Sequence, residues 1–310
     1  MPLLNPLENL NPSTDNQRRG GILGLETAPR REPNSGLLAS CANPACSSGW
    51  LHLLRSRSGP VFEGGWSCSA SCTLARLESA VRRELEGRSG DTGVHAAFSH
   101  RHRVPLGLVL LEQGWISQES LRKAVAAQKE AGKGRLGAWL VRQGAVTEQQ
   151  VTRALGLQWN CPVLQADTLD AETMSATLPR LFIEAYGALP LRFAGSRILY
   201  LGFEERLDPV VALGIERMLG VQVEMGLVPG SQYAAAQRRL VESAFPRVEL
   251  VESASEAPLA RLLARTLERR KPAASRLVRL HDCLWLRMWQ KTAPAHSAAV
   301  EDVICSLVAL

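Results

Sequence analysis

A chain of 310 residues, 45% hydrophobic and 21% charged, is long enough for two modest domains with a buried core. Its formal charge of +6 comes from Lys and Arg interleaved with Glu, with no basic block longer than Glu268-Arg269-Arg270-Lys271, the pattern of a solvated mixed surface rather than a nucleic-acid groove. No run approaches the ~20 apolar residues of a spanning helix, and Met1–Asn11 lacks the basic and apolar regions of a signal peptide, so a cytoplasmic protein without membrane insertion is expected.

Residues 1–36, rich in Pro, Asn, Gly and Arg without a period, read as a disordered lead. Residues 37–87 form a unit around four of the seven cysteines. Cys41-x4-Cys46 and Cys68-x3-Cys72 are two short-spaced pairs that can set four thiolates around zinc. Free thiols or disulfides are the alternatives. Trp50, Val61, Phe62 and Trp66 supply a small apolar core and a hairpin between the pairs, and Cys68 and Cys72 fit the start of a helix. That helix continues over 74–87, with Leu74, Leu77, Val81 and Leu85 on one face and Gly87 as its stop. Ligation by thiolates alone implies a closed, structural site. The ending Phe62-x3-Trp66-x-Cys68-Ser69-x2-Cys72 resembles a treble-clef-type zinc finger. Cys161, Cys283 and Cys305 lie in apolar surroundings and read as inert thiols.

Residues 88–101 read as a linker, and the neighbouring His100 and His102 as solvated side chains. From 102 onward the sequence overlays itself at an offset of thirty, 105–128 against 135–158. Leu106, Gly107, Leu110, Gln113, Gly114, Ala124 and Gln128 recur as Leu136, Gly137, Leu140, Gln143, Gly144, Ala154 and Gln158. This is a tandem duplication. Each copy predicts a short helix closed at Gly114 or Gly144 and a longer one starting at Ser117 or Thr147. Leu121, Val125, Val151 and Leu155 line the inner faces, and Thr147-x-x-Gln150 has capping-box spacing.

Past Cys161-Pro162 the chain alternates: a helix over 178–186, strands at 188–192 and 197–203, a helix from Pro209 to Leu219 capped by Asp208, a strand at 221–227 and a helix at 231–245. Residues 246–310 form an extension with a helix over 257–270, a strand-like run over 275–289 and a short terminal helix. His281-x-Cys283 on that run reads as a half-buried pair, not a ligand set. The expected fold class is α+β: a four-cysteine zinc-finger-like module, a tandem helical-hairpin repeat and a small α/β unit, with residues 102–245 as one domain.

The duplicated segment resembles the N-terminal domain of type II secretion and type IV pilus ATPases, and within that family its MshE-like subset, which binds cyclic di-GMP. The family repeats RLG-x2-(L/V/I)-(L/V/I)-x2-G-(L/V/I)-(L/V/I)-x4-L-x3-L-x2-Q. Copy two fits at Arg135, Leu136, Gly137, Leu140, Val141, Gly144, Val146, Val151, Leu155 and Gln158. Copy one fits at Leu106, Gly107, Leu110, Leu111, Gly114, Ile116, Leu121, Val125 and Gln128, and departs at Trp115 and at Pro105, where the arginine is due. The resemblance implies a cyclic di-GMP surface made by Leu106, Gly107, Leu110, Leu111, Gly114, Gln128, Arg135, Leu136, Gly137, Leu140, Val141, Gly144 and Gln158. In it, glycines admit a flat base closely, leucines pack on its face, and arginine offers a forked donor to guanine or phosphate. The alternative is that glycine and leucine set helix packing alone.

The ATPase itself is missing from these residues: no G-x4-G-K-[ST] occurs, and Gly132-Lys133-Gly134 is the nearest approach. No nucleophile–base set is legible either. Three readings follow: a cyclic di-GMP receptor, a ligand-free adaptor for a secretion or pilus component, and a zinc-finger nucleic-acid binder. The last is disfavoured, because Arg55, Arg57, Arg82 and Arg83 make no stripe.

Overall fold

The computed structural model describes residues 40–47, 59–87, 103–253, 255–290 and 299–306. The expectations for 1–36 and 88–101, and for Trp50 and His102, lie outside them. The fold is α+β, as composition and periodicity predict.

The cysteine unit begins with a hairpin of β1 (Val61–Phe62) and β2 (Gly65–Trp66) and continues into α1 (Ala70–Glu86). Ser69 caps α1 by accepting from the Cys72 N–H, which places Cys68 just before the helix and Cys72 in its first turn.

The duplication folds as two helical hairpins, α2 (Leu106–Glu112) with α3 (Gln118–Ala131) and α4 (Leu136–Arg142) with α5 (Glu148–Trp159). Local chemistry sets each boundary. Ser117 and Thr147 cap the long helices, and Thr147 with Gln150 forms the full capping box. Gly114 and Gly144 take φ of +67° and +69° at the joints, a left-handed conformation that a Cβ would strain.

The α/β unit contains α6 (Ala171–Ser175), α7 (Arg180–Tyr186), β3 (Leu189–Ala194), β4 (Ile198–Phe203), α8 (Pro209–Leu219), β5 (Gln222–Leu227) and α9 (Gly230–Val241). Its sheet has the order β3-β4-β5, antiparallel and then parallel, so α8 is the crossover of a β-α-β unit. Asp208 caps α8 through the N–H groups of Val210 and Val211, with Pro209 in the first turn.

The last layer departs from expectation. It holds β6 (Arg247–Glu252), α10 (Glu256–Arg270), β7 (Ala274–Leu280), β8 (Cys283–Trp289) and β9 (Val300–Ser306), in sheet order β6-β9-β8-β7. The run over 275–289 is two strands, reversed at His281, whose φ is +49°. The terminal helix is a strand instead, because Val300, Val303 and Ile304 are β-branched residues that pack between the faces of a sheet. That sheet is covered on both sides. Val278, Trp285 and Ile304 join the core of the α/β unit, while Leu277, Leu286 and Val303 join a second core with α10 and α1. Inside the sheet, Arg287 and Asp302 form a fully buried ion pair at 2.8 Å, with Arg287 also donating to the Thr177 carbonyl and Trp285 Nε1 to Asp302.

Candidate recognition and metal sites

The four cysteines that sequence spacing singled out come together. Their sulfurs all lie within 4.8 Å of one another, with Cys46 and Cys68 at 3.5 Å and Cys68 and Cys72 at 3.7 Å. Zinc–sulfur bonds of ~2.3 Å in a tetrahedron give sulfur edges of about 3.8 Å, so the donor set fits a metal ion as it stands. The separations are far above the ~2.05 Å of a disulfide, and all seven cysteines are free thiols. The Cys68 N–H points at Cys41 Sγ, 3.4 Å away, the kind of donor that steadies a thiolate. Burial pushes the Cys41 thiol up to about 12, the neighbouring sulfurs adding to it. Arg76 braces the hairpin by donating to the Phe62 and Gly65 carbonyls.

In the tandem repeat the copies contact one another reciprocally. A Cβ on Gly107 would meet Leu121 at 2.8 Å and Leu136 at 3.4 Å; one on Gly137 would meet Val151 at 2.7 Å and Leu106 at 3.5 Å. Each glycine thus accommodates the long helix of its own copy and the leading leucine of the other. The closing glutamines follow the same rule: Gln128 Nε2 donates to the Gly134 carbonyl at 2.8 Å, and Gln158 Nε2 to the Val104 carbonyl at 2.6 Å. Each ties down the backbone just ahead of a short helix. Leu110 and Leu140 are fully buried and centre the core with Ala124 and Ala154. Leu106, Leu111 and Leu136 are half-buried around it, and Val141 faces solvent.

The two copies differ at their rims. Arg135 is 70% exposed and pairs with Glu205 of the α/β unit, a partner no local pattern could reveal. In copy one, with Pro105 at that place, the guanidinium of Arg103 instead stacks on the Trp159 ring at 3.1 Å. A cleft of about 550 Å³ opens between Trp115, Arg153, Leu157, Pro162 and Val163. Copy two has Ala145 where Trp115 stands.

His281 is an anchor: its Nε2 lies 2.8 Å from Asp208 Oδ2, joining the last sheet to the cap of α8. Burial raises the thiols of Cys161, Cys283 and Cys305 above their ordinary value, in keeping with inert cysteines. Among the described residues no helix is long and apolar enough to cross a membrane.

No family model matches the chain. A solved structure of MshE with cyclic di-GMP shares 26% identity, covering 44% of this chain and 99% of that one, at a TM-score of 0.36. Bacteriophage adsorption protein B of Escherichia coli is 29% identical over 142 residues, 43% of this chain and 18% of that protein. The type IV pilus assembly ATPase PilB of Thermus thermophilus is 34% identical over 114 residues, 36% of this chain and 13% of that protein. The chain therefore spans less than a fifth of the length of the adsorption protein and of PilB. Together with the doubled motif, the matches to PilB of Thermus thermophilus and of Myxococcus xanthus make part of this chain similar to type IV pilus assembly ATPases.

Proposed function

We propose that the tandem repeat is a recognition module for cyclic di-GMP, and that the chain is a non-catalytic regulatory or adaptor protein of a type II secretion or type IV pilus-like system. The four thiolates hold zinc as a structural ion in this reading. The observation that carries it is the reciprocity of the two copies, Gly107 against Leu136 and Gly137 against Leu106, with Gln128 and Gln158 in matching bonds. A cyclic dinucleotide is itself two-fold, and two like half-surfaces suit its two guanylate halves. Arg135 supplies the forked donor for a guanine edge or a phosphate, once it leaves Glu205. The non-catalytic part rests on the lack of a phosphate-binding G-x4-G-K-[ST] in these 310 residues.

Calorimetric titration with cyclic di-GMP tests the module. Micromolar or tighter binding is expected, weakened in Arg135→Ala by about one to two powers of ten, since a charge-assisted hydrogen bond contributes ~1.5–3 kcal/mol. No heat at high ligand concentration overturns the reading.

The cleft favours a second reading, an adaptor that docks a protein partner without ligand. Its wall carries Trp115 and the 57% exposed Leu157 beside Arg153, an apolar surface with one cation. In that case Gly107, Gly137, Gln128 and Gln158 serve internal packing only, and Pro105 has lost nothing that the function uses.

A further inference from the structure

The cysteine unit is built into the far end of the chain. Strand β1 lies along β7, the edge strand of the last sheet: the Glu63 N–H donates to the Ser275 carbonyl at 2.8 Å, the Val61 N–H to the Pro272 carbonyl at 3.3 Å, and the Ser275 hydroxyl to the Val61 carbonyl at 2.8 Å. On the next element the Thr73 hydroxyl donates to Glu268 of α10 at 2.6 Å. The Glu84 carboxylate, 3% exposed, accepts from the Arg279 N–H of β7 at 3.0 Å and from Arg217 of α8 at 2.6 Å. Phe62, Leu77 and Val81 share one core with Leu263, Leu277 and Leu286. The repeat has a core of its own.

We propose that a metal ion on Cys41, Cys46, Cys68 and Cys72 governs the order of the C-terminal layer, so that residues 59–87 and the elements β6 to β9 with α10 fold as one metal-dependent unit. This rests on the zinc reading above. The hairpin that carries Phe62 has two residues in each strand, too few to persist without a staple, and small units with little core take theirs from a metal. Removing the ion frees β1 and then α1. The sheet face that includes Leu277 and Leu286 loses part of its cover, and β7 is left as an open edge able to pair with other chains. Binding of the ion is thereby linked to order some two hundred residues away along the sequence.

The test uses the full chain. Elemental analysis is expected to find one zinc per chain. Hydrogen exchange followed by mass spectrometry, with and without a chelator, should then show α1, α10 and β7 to β9 exchanging at least about tenfold faster when zinc is withdrawn, the change that ligand at ten times its Kd produces by mass action. Peptides from α3 and α4, which pack in the repeat's own core, should be unchanged, and added zinc should restore the rest. Cys72→Ser should behave as the chelated protein does. Thr73→Val and Ser275→Ala remove ties without touching a ligand; each should retain zinc and show less difference in α10 and β7 on chelation. Bound zinc whose removal speeds exchange only within 59–87 overturns the coupling and leaves the zinc reading standing. Well under one zinc per chain, with no response to added zinc, overturns both.

Discussion

In the tandem repeat, two buried leucines and two alanines make the centre of the core, and close approach is secured by glycines and by amide bonds to backbone. In the C-terminal layer a sheet is buried on both faces, crossed by large side chains and by the ion pair of Arg287 and Asp302. The difference lies in what each region leaves outside. The repeat keeps Arg135, Val141 and Leu108 in contact with solvent. The sheet layer turns nearly all of β8 inward and is suited to support.

Four substitutions sharpen that contrast. Asp302→Ala leaves Arg287 charged, buried and unpaired, and should cost about 3–5 kcal/mol in urea unfolding; a loss below about 1 kcal/mol would mean that the layer carries little of the stability. Glu84→Gln comes next. Burial opposes ionisation of Glu84, but the hydrogen bond and charge of Arg217, the Arg279 N–H and Arg83 outweigh it and hold the carboxyl below its usual 4.5. With the folded pKa below the unfolded one, its stabilisation is complete above pH about 4.5 and is lost as pH falls through the depressed value. The substitution should therefore cost about 1.5–3 kcal/mol at neutral pH and progressively less in acid, a convergence that melting curves across that range will reveal. Gly137→Ala should be smallest, about 1–3 kcal/mol from overpacking against Val151. Gly107→Ala should match it, and unequal losses would break the equivalence of the two copies.

Much of the repeat was legible because its signals are local: the offset of thirty, the cap at Thr147 and the left-handed glycines are all written within a few residues of where they act. The cysteine cluster was legible for the same reason. What could not be read is long-range. Gln128 and Gln158 look like free donors in the sequence, and only the fold shows each amide bonded to a carbonyl of a neighbouring segment. Arg135 meets Glu205, and Thr73 meets Glu268, across spacings that no period records. The last sheet hid for a different reason. With both faces buried, β8 shows no alternation of apolar and polar residues, and its turn uses His281 where a hairpin ordinarily announces itself with glycine or asparagine. Strand β6 carries only a short polar–apolar alternation over Arg247–Leu250, and its pairing partner β9 comes about fifty residues later.

The exchange of leucines between the halves also bears on whether either half could stand alone. Half of this four-helix arrangement, expressed alone, would keep Leu121 over Gly107 but lose the leading leucine of the other copy, and would leave its own Leu106 without the glycine it approaches. A second identical molecule supplies both at once, since a two-fold contact is satisfied by any surface that complements itself. Within the present chain the two halves supply that complement to each other, while differing at Pro105 and Trp115.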